Sequence, residues 1–92
     1  MATFTSTITK VNSSDVNITL LGESYNRQMV TIYNNSSFSL YIKYGVNATS
    51  DSFTLRINSG DYLEFPFPCY TGQIDAFWEG IDGNAMITEI CQ

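Results

Sequence analysis

The sequence predicts an all-β fold, a single antiparallel β-sandwich of seven or eight short strands, jelly-roll-like or, as the alternative, an immunoglobulin-like Greek key. Three observations carry this. The strong hydrophobic periodicity is two throughout, the alternation of a half-buried strand, with no helical repeat. Ile, Val, Thr, Phe, Tyr and Trp fill the patterned segments, whereas Ala and Leu are scarce. Clusters of Asn, Ser, Gly and Asp separate these segments at short intervals. With 92 residues the chain is one domain, large enough for one thin core.

The elements follow in order. Phe4, Ser6, Ile8 and Lys10 alternate with Thr3, Thr5, Thr7 and Thr9, so residues 1–10 read as an N-terminal strand or arm and residues 11–92 as the sandwich. Val16, Ile18 and Leu20 alternate with Asn17 and Thr19, and Gly22 to Asn26 turns into a strand from Arg27 to Tyr33. Asn34-Asn35-Ser36-Ser37 is a polar stop that reads as a hairpin. Beyond it, Phe38, Leu40, Ile42 and Tyr44 share a face opposite Ser39, Tyr41 and Lys43. The polar stretch Val46 to Asp51 is long enough for the chain to switch sheets, after which Phe53, Leu55 and Ile57 alternate with Thr54 and Arg56. Asn58-Ser59-Gly60 turns into Asp61 to Phe65; Pro66 and Pro68 cannot donate to a ladder and make this segment an edge or an excursion outside the sheets. A strand from Gln73 to Glu79 has Ile74, Ala76 and Trp78 on one face and Asp75, Phe77 and Glu79 on the other. Gly80 to Asn84 is a hairpin turn before the last strand, Ala85 to Cys91.

Composition excludes several function classes. There is no histidine, which removes the commonest general base, the Ser/His/Asp and Cys/His constellations and the commonest metal ligand. The net charge is −5, so direct binding of nucleic-acid phosphates is not expected, and no segment is apolar enough to suggest a membrane span. Charged residues make up 14 %, well below the roughly 25 % of an average domain, so Ser, Thr and Asn dominate the surface. Lys10, Arg27, Lys43 and Arg56 all precede Asp61, Glu64, Asp75, Glu79, Asp82 and Glu89. Were those acids to share a face, they would steer the domain onto a basic protein surface. No secretory signal is visible at the N-terminus, so Cys69 and Cys91 are expected as free thiols, and the five Asn-x-Ser/Thr sequons read as turn chemistry. Two sulfurs without histidine fall short of a structural zinc site, and no metal or cofactor is expected.

Catalysis finds little footing. Asp61/Glu64 and Asp75/Glu79 are carboxylate pairs by identity alone, without a distinctive spacing or material for a deep cleft. Asp82-Gly83-Asn84 lacks the remaining ligands of a calcium loop. Phe65, Phe77 and Trp78 are expected in the core, and Phe67 and Tyr70, flanking Pro68 and Cys69, at an interface. The N-terminal run can add as a strand to a neighbouring chain, with Phe4, Ile8 and Lys10 as contacts.

The stretch Thr31-Ile-Tyr-Asn-Asn-Ser-Ser-Phe-Ser-Leu-Tyr-Ile-Lys-Tyr-Gly45, with Ser52-Phe-Thr, Gly60-Asp-Tyr-Leu-Glu-Phe, Tyr70-Thr-Gly-Gln-Ile and Ala76-Phe-Trp-Glu-Gly80, resembles small tailed-bacteriophage virion proteins of the head decoration, or cement, type. The resemblance covers roughly Arg27 to Glu89 and rests on sandwich geometry. It implies a jelly-roll-like subunit made in the host cytoplasm. Such a subunit sits on the outer capsid surface as a homotrimer and clamps adjacent major capsid proteins, with no catalytic residue. The rival expectation is a carbohydrate-binding module of a tail fibre or baseplate, with Tyr62, Tyr70 or Trp78 as stacking platforms.

Overall fold

A computed structural model describes residues 3–65 and 68–92. Those residues contain no helix and form eight strands: β1 (Thr5–Asn12), β2 (Ile18–Leu21), β3 (Arg27–Asn35), β4 (Leu40–Tyr44), β5 (Leu55–Ile57), β6 (Tyr62–Glu64), β7 (Ile74–Trp78) and β8 (Asn84–Cys91). They make two four-stranded antiparallel sheets. One, the long sheet, has the order β1-β8-β3-β6; the other, the short sheet, has the order β2-β7-β4-β5. The pairs β1/β8, β2/β7, β3/β6 and β4/β5 are nested like the rungs of a single long hairpin.

The alternation seen in the sequence sets the inner faces. Val30, Ile32, Ala85 and Ile87 of the long sheet meet Leu20, Leu40, Ile42, Ile57, Ile74, Ala76 and Trp78 of the short one in one buried cluster, which Phe65 joins. Each large aliphatic removed from water there contributes roughly 1.5–3 kcal/mol. β1 runs through Asn12, so the line drawn between residues 10 and 11 falls inside a continuous strand.

Three connections differ from the sequence reading. Asn34 to Ser37 is not a hairpin, because β3 and β4 lie in different sheets and the chain crosses between them. The cause is Asn34, whose fully buried side chain is anchored in the interior. Its Nδ2 donates to the carbonyls of Phe38 (2.8 Å), Ile57 (2.9 Å) and Asn58 (3.2 Å), and its Oδ1 accepts from the indole N–H of Trp78 at 3.0 Å. The segment Val46 to Asp51 does not switch sheets; β4 and β5 pair within the short sheet, and the loop folds back over that sheet. Gly80 to Asn84 likewise carries the chain from the short sheet to the long one and is no hairpin. The turn after β5 matches expectation: Asp61 N–H donates to Asn58 C=O at 3.0 Å, and Gly60, at φ +77°, fills the position where a type II turn needs a positive φ.

Candidate interaction surface

Strand register places one face of each long-sheet strand outward. Ser6, Ile90 and Met29 form one row across β1, β8 and β3. Ile8, Thr88, Thr31 and Glu64 form the next, and Lys10, Met86, Tyr33 and Tyr62 the third. Most of the large apolar side chains in these rows are exposed: Ile8 is 65 % exposed, Tyr62 64 % and Met29 46 %, and Phe4, just before β1, is 59 % exposed, whereas Met86 and Ile90 are half-buried. Exposed apolar side chains gathered on one face, unlike singly scattered ones, mark contact surfaces. At one end of this face a cavity of about 480 Å³ is lined by Phe4, Gln28, Met29, Phe65 and Ile90. A β-bulge lies beside it: Arg27 is opposite Cys91 and Met29 opposite Ile90, which leaves Gln28, one of the lining residues, as the extra residue in β3.

The predicted contact residues separate. Phe4, Ile8 and Lys10 come together on or beside this outer face. Tyr70 lies elsewhere and half-buried, its ring stacked on Tyr44 (5.1 Å, 11°) and its hydroxyl donating to Gln73 C=O at 3.2 Å. Phe67 lies outside the described residues. Met29, Tyr33 and Ile90 escaped the sequence reading; the alternation of Met29, Thr31 and Tyr33 with Val30, Ile32 and Asn34 was the available signal.

The aromatics are also redistributed. Trp78 is 0 % exposed and cannot serve as a stacking platform. Phe65 is buried as expected, but Phe77 is only half-buried and belongs to the other face of the short sheet. There it stacks on Tyr41 (4.8 Å, 5°), which receives Phe53 edge-on (4.9 Å, 89°). An aromatic row across β7 and β4 satisfies itself this way, by offset and T-shaped contacts between its own rings.

The acidic residues after Arg56 do not form one steering face. Glu89 pairs with Arg27 at 2.7 Å, and the Arg27 side chain, wholly buried, also donates to the carbonyls of Gly22, Tyr70 and Gly72. Asp82 accepts from Ser37 N–H at 3.0 Å. Asp75 is buried, and its two oxygens accept from Asn17 Nδ2, Thr19 Oγ1, Gln73 Nε2 and the backbone N–H of Asn47. Burial by itself would raise the Asp75 pKa, but the donors of Gln73, Asn47, Asn17 and Thr19 outweigh it and hold the carboxyl below its ordinary value. Asp75 is therefore an ionised pin that ties the loop after β4 to β2 and β7, with no free oxygen for acid–base work. Cys69 and Cys91 are free thiols; burial pushes the Cys69 thiol up, against the opposing pull of Arg27, and keeps it protonated. Among the described residues, no three acidic or cysteine side chains converge to hold a metal ion.

No protein-family model, curated protein or solved structure matches the chain.

Proposed function

We propose that this chain is a structural virion subunit, a decoration protein that lies on the outer surface of a phage head and binds adjacent major capsid proteins through the outer face of the long sheet. The observation that carries the proposal is the exposed apolar strip of Phe4, Ile8, Met29 and Tyr33 on that face, joined by the half-buried Ile90, interleaved with threonines and only lightly charged. The resemblance of the segment Thr31 to Gly45 to head decoration proteins supplies the setting. A ligand that binds only the expanded lattice stabilises it by mass action, about 2.7 kcal/mol per site at a free concentration of 100 times Kd. Repetition over the lattice multiplies modest contacts.

The same proposal takes the two sheets as facing layers of a jelly-roll sandwich. Nested antiparallel pairing supports this, since rolling one long hairpin into two sheets generates that order of neighbours. The immunoglobulin-like alternative lacks this support, because its sheets have a different strand arrangement.

The test uses point substitutions, because β1 pairs with β8 from Thr5 to Asn12 and deleting it would uncover the ladder beneath. Expanded heads lacking the protein are incubated with wild-type chain or with Met29→Glu/Tyr33→Glu and reconstructed by cryo-electron microscopy. Wild-type density on the outer shell, lost in the double variant while its unfolding midpoint stays unchanged, is the expected outcome. Undiminished occupancy by the variant, or no wild-type density on heads, overturns the proposal.

A further inference from the structure

The two sheets end in four edge strands, β1 and β6 on the long sheet and β2 and β5 on the short one. Three carry the devices by which soluble proteins discourage edge-to-edge pairing. β5 and β6 have three residues each, with Arg56 and Glu64 among them. β2 has four residues and an irregular register between Thr19 and Leu21. β1 is neither short nor irregular and shares with β5 and β6 only a single charged residue. It is eight residues long, regular against β8 along its whole length, free of proline, and carries one charge, Lys10. From Thr5 to Lys10 it is exposed on both faces, and among the described residues nothing pairs with its outer edge.

The hydrogen-bond phase shows what that edge offers. Ser13 N–H donates to Gly83 C=O at 2.9 Å, one step beyond the Asn12/Asn84 pair. In an antiparallel ladder, odd-numbered residues of β1 therefore bond to β8, and the N–H and C=O groups of Ser6, Ile8, Lys10 and Asn12 face away from it. We infer that this edge is the docking site for a second copy of the same chain, which adds its own β1 antiparallel about a two-fold axis at Ile8, a dimer in place of the homotrimer that the resemblance implies. No other edge matches it in length, and an isologous contact needs only a self-complementary strand. Even-numbered residues face even-numbered ones: Ile8 meets Ile8 of the second copy, and Ser6 meets its Lys10. About six backbone hydrogen bonds form between Ser6 and Lys10 on the two strands. The two Lys10 side chains sit four residues apart in register, about 13 Å, so the strand's single charge does not oppose pairing. Pairing also joins the two long sheets edge to edge, with the Ile8 side chains linking their apolar outer faces.

This inference does not depend on the capsid role, and its test uses the purified full chain without heads. Sedimentation across micromolar to millimolar concentrations is expected to show a monomer–dimer equilibrium. Ile8→Lys sets two ammonium groups opposite each other at the two-fold axis and is expected to raise the dimer Kd about tenfold or more. An equimolar mixture of Ile8→Lys and Ile8→Glu is expected to regain the dimer mass, which also shows that both variants fold. A wild-type chain that stays monomeric, a trimer, a dimer indifferent to Ile8→Lys, or a mixture that does not re-associate overturns the inference and leaves the docking of the long sheet onto heads standing.

Discussion

Replacing Asn34 by Leu is the sharpest probe of how the two sheets are held together. The substitution keeps the branching at Cγ, adds bulk, and removes the hydrogen bonds of both amide atoms: those donated by Nδ2 to three carbonyls, and those accepted by Oδ1 from Trp78 Nε1 and from Ser36 Oγ, whose one proton is shared with Phe38 C=O. Their loss is unequal. Phe38 C=O keeps Ser36 Oγ at 2.8 Å, and Asn58 C=O keeps the Asp61 N–H at 3.0 Å, so neither is orphaned. Ser36 Oγ keeps its bond to Phe38. The indole N–H of Trp78, on a residue with no exposure, has no other partner among the described residues, and Ile57 C=O loses its buried donor. One or two buried orphans at about 1–3 kcal/mol each give an expected loss of about 1–6 kcal/mol. For a domain whose total stability is on the order of 5–15 kcal/mol, that is a large share. Trp78 is the sole tryptophan and reports directly on the site, so urea unfolding followed by its fluorescence is the assay. With a slope of about 1–2 kcal/mol/M, the midpoint is expected to fall by at least about 0.5 M. Trp78→Phe removes the other side of the bond and with it the fluorophore, so the variants that carry it, and the wild type beside them, are followed by far-ultraviolet circular dichroism. In a double-mutant cycle the pair together is expected to cost less than the two single changes added, because the orphan disappears with its partner. An Asn34→Leu variant within 0.5 kcal/mol of wild type would show that this side chain does not hold the crossing.

Other interior polar groups give parallel expectations. Asp75→Asn presents an amide N–H₂ to a site filled with donors and is expected to cost about 2–4 kcal/mol in urea unfolding. Because the folded carboxyl titrates below its ordinary value, the stability it contributes is complete above the unfolded pKa and is lost as pH falls through the folded one. Acid titration of the unfolding midpoint below about pH 4 should therefore be steeper for wild type than for Asp75→Asn. Arg27→Met leaves the Glu89 carboxylate and three carbonyls without their shared donor and is expected to cost about 3–5 kcal/mol by thermal unfolding. Arg27→Lys is expected to recover only part of this, since an ammonium cannot reproduce the planar fork that reaches three carbonyls and a carboxylate. Gly83→Ala drives a methyl into the backbone carbonyl of Asn35 and to 2.8 Å from Ser36 Cα, so a loss of about 1–3 kcal/mol is expected in the same assay.

Strand positions were legible because period-two alternation is a local property: Leu40, Ile42, Ile74, Ala76 and Trp78 all point inward as their spacing implied. Connectivity was not legible at the same range. A polar stop between two apolar runs has the same composition whether the chain turns back within one sheet or crosses to the other. At Asn34 the choice is made by contacts 23 and 44 residues away, to Ile57 and Trp78. Asp75 shows the same limit on a face assignment. Its alternation sets it opposite Ile74 and Ala76, and only the return of Asn47 and Ala48 over the short sheet buries it. The loop's polarity looked like freedom to leave the sheet and is instead its means of binding Asp75 and Asn17. Of the candidate surface, Phe4, Ile8 and Lys10 could be read from one continuous alternating strand. Met29 and Ile90 could not, because their shared face exists only once β3 and β8 are neighbours.

The interior use of polar groups also shapes what the outside can do. Of the four basic residues, Arg27 is buried and Lys43 donates to Ser52 Oγ at 2.7 Å, its ammonium held over its own loop. Of the late acids, Asp75 and Glu89 are committed to internal partners. A chain already poor in charge thus spends several of its charges in fastening loops to the sheets. Lys10 and Glu64 stand at opposite sides of the long sheet's outer face, with Ile8, Met29, Tyr33 and the threonines between them. On the proposed role, attachment through that face draws mainly on apolar burial and backbone pairing, which ionic strength screens weakly, and its specificity comes from the fit of a fixed relief. The rigid fastening of Asn34, Asp75 and Arg27 keeps that relief fixed, because each ties a crossing or a loop to the strands whose outward residues form it.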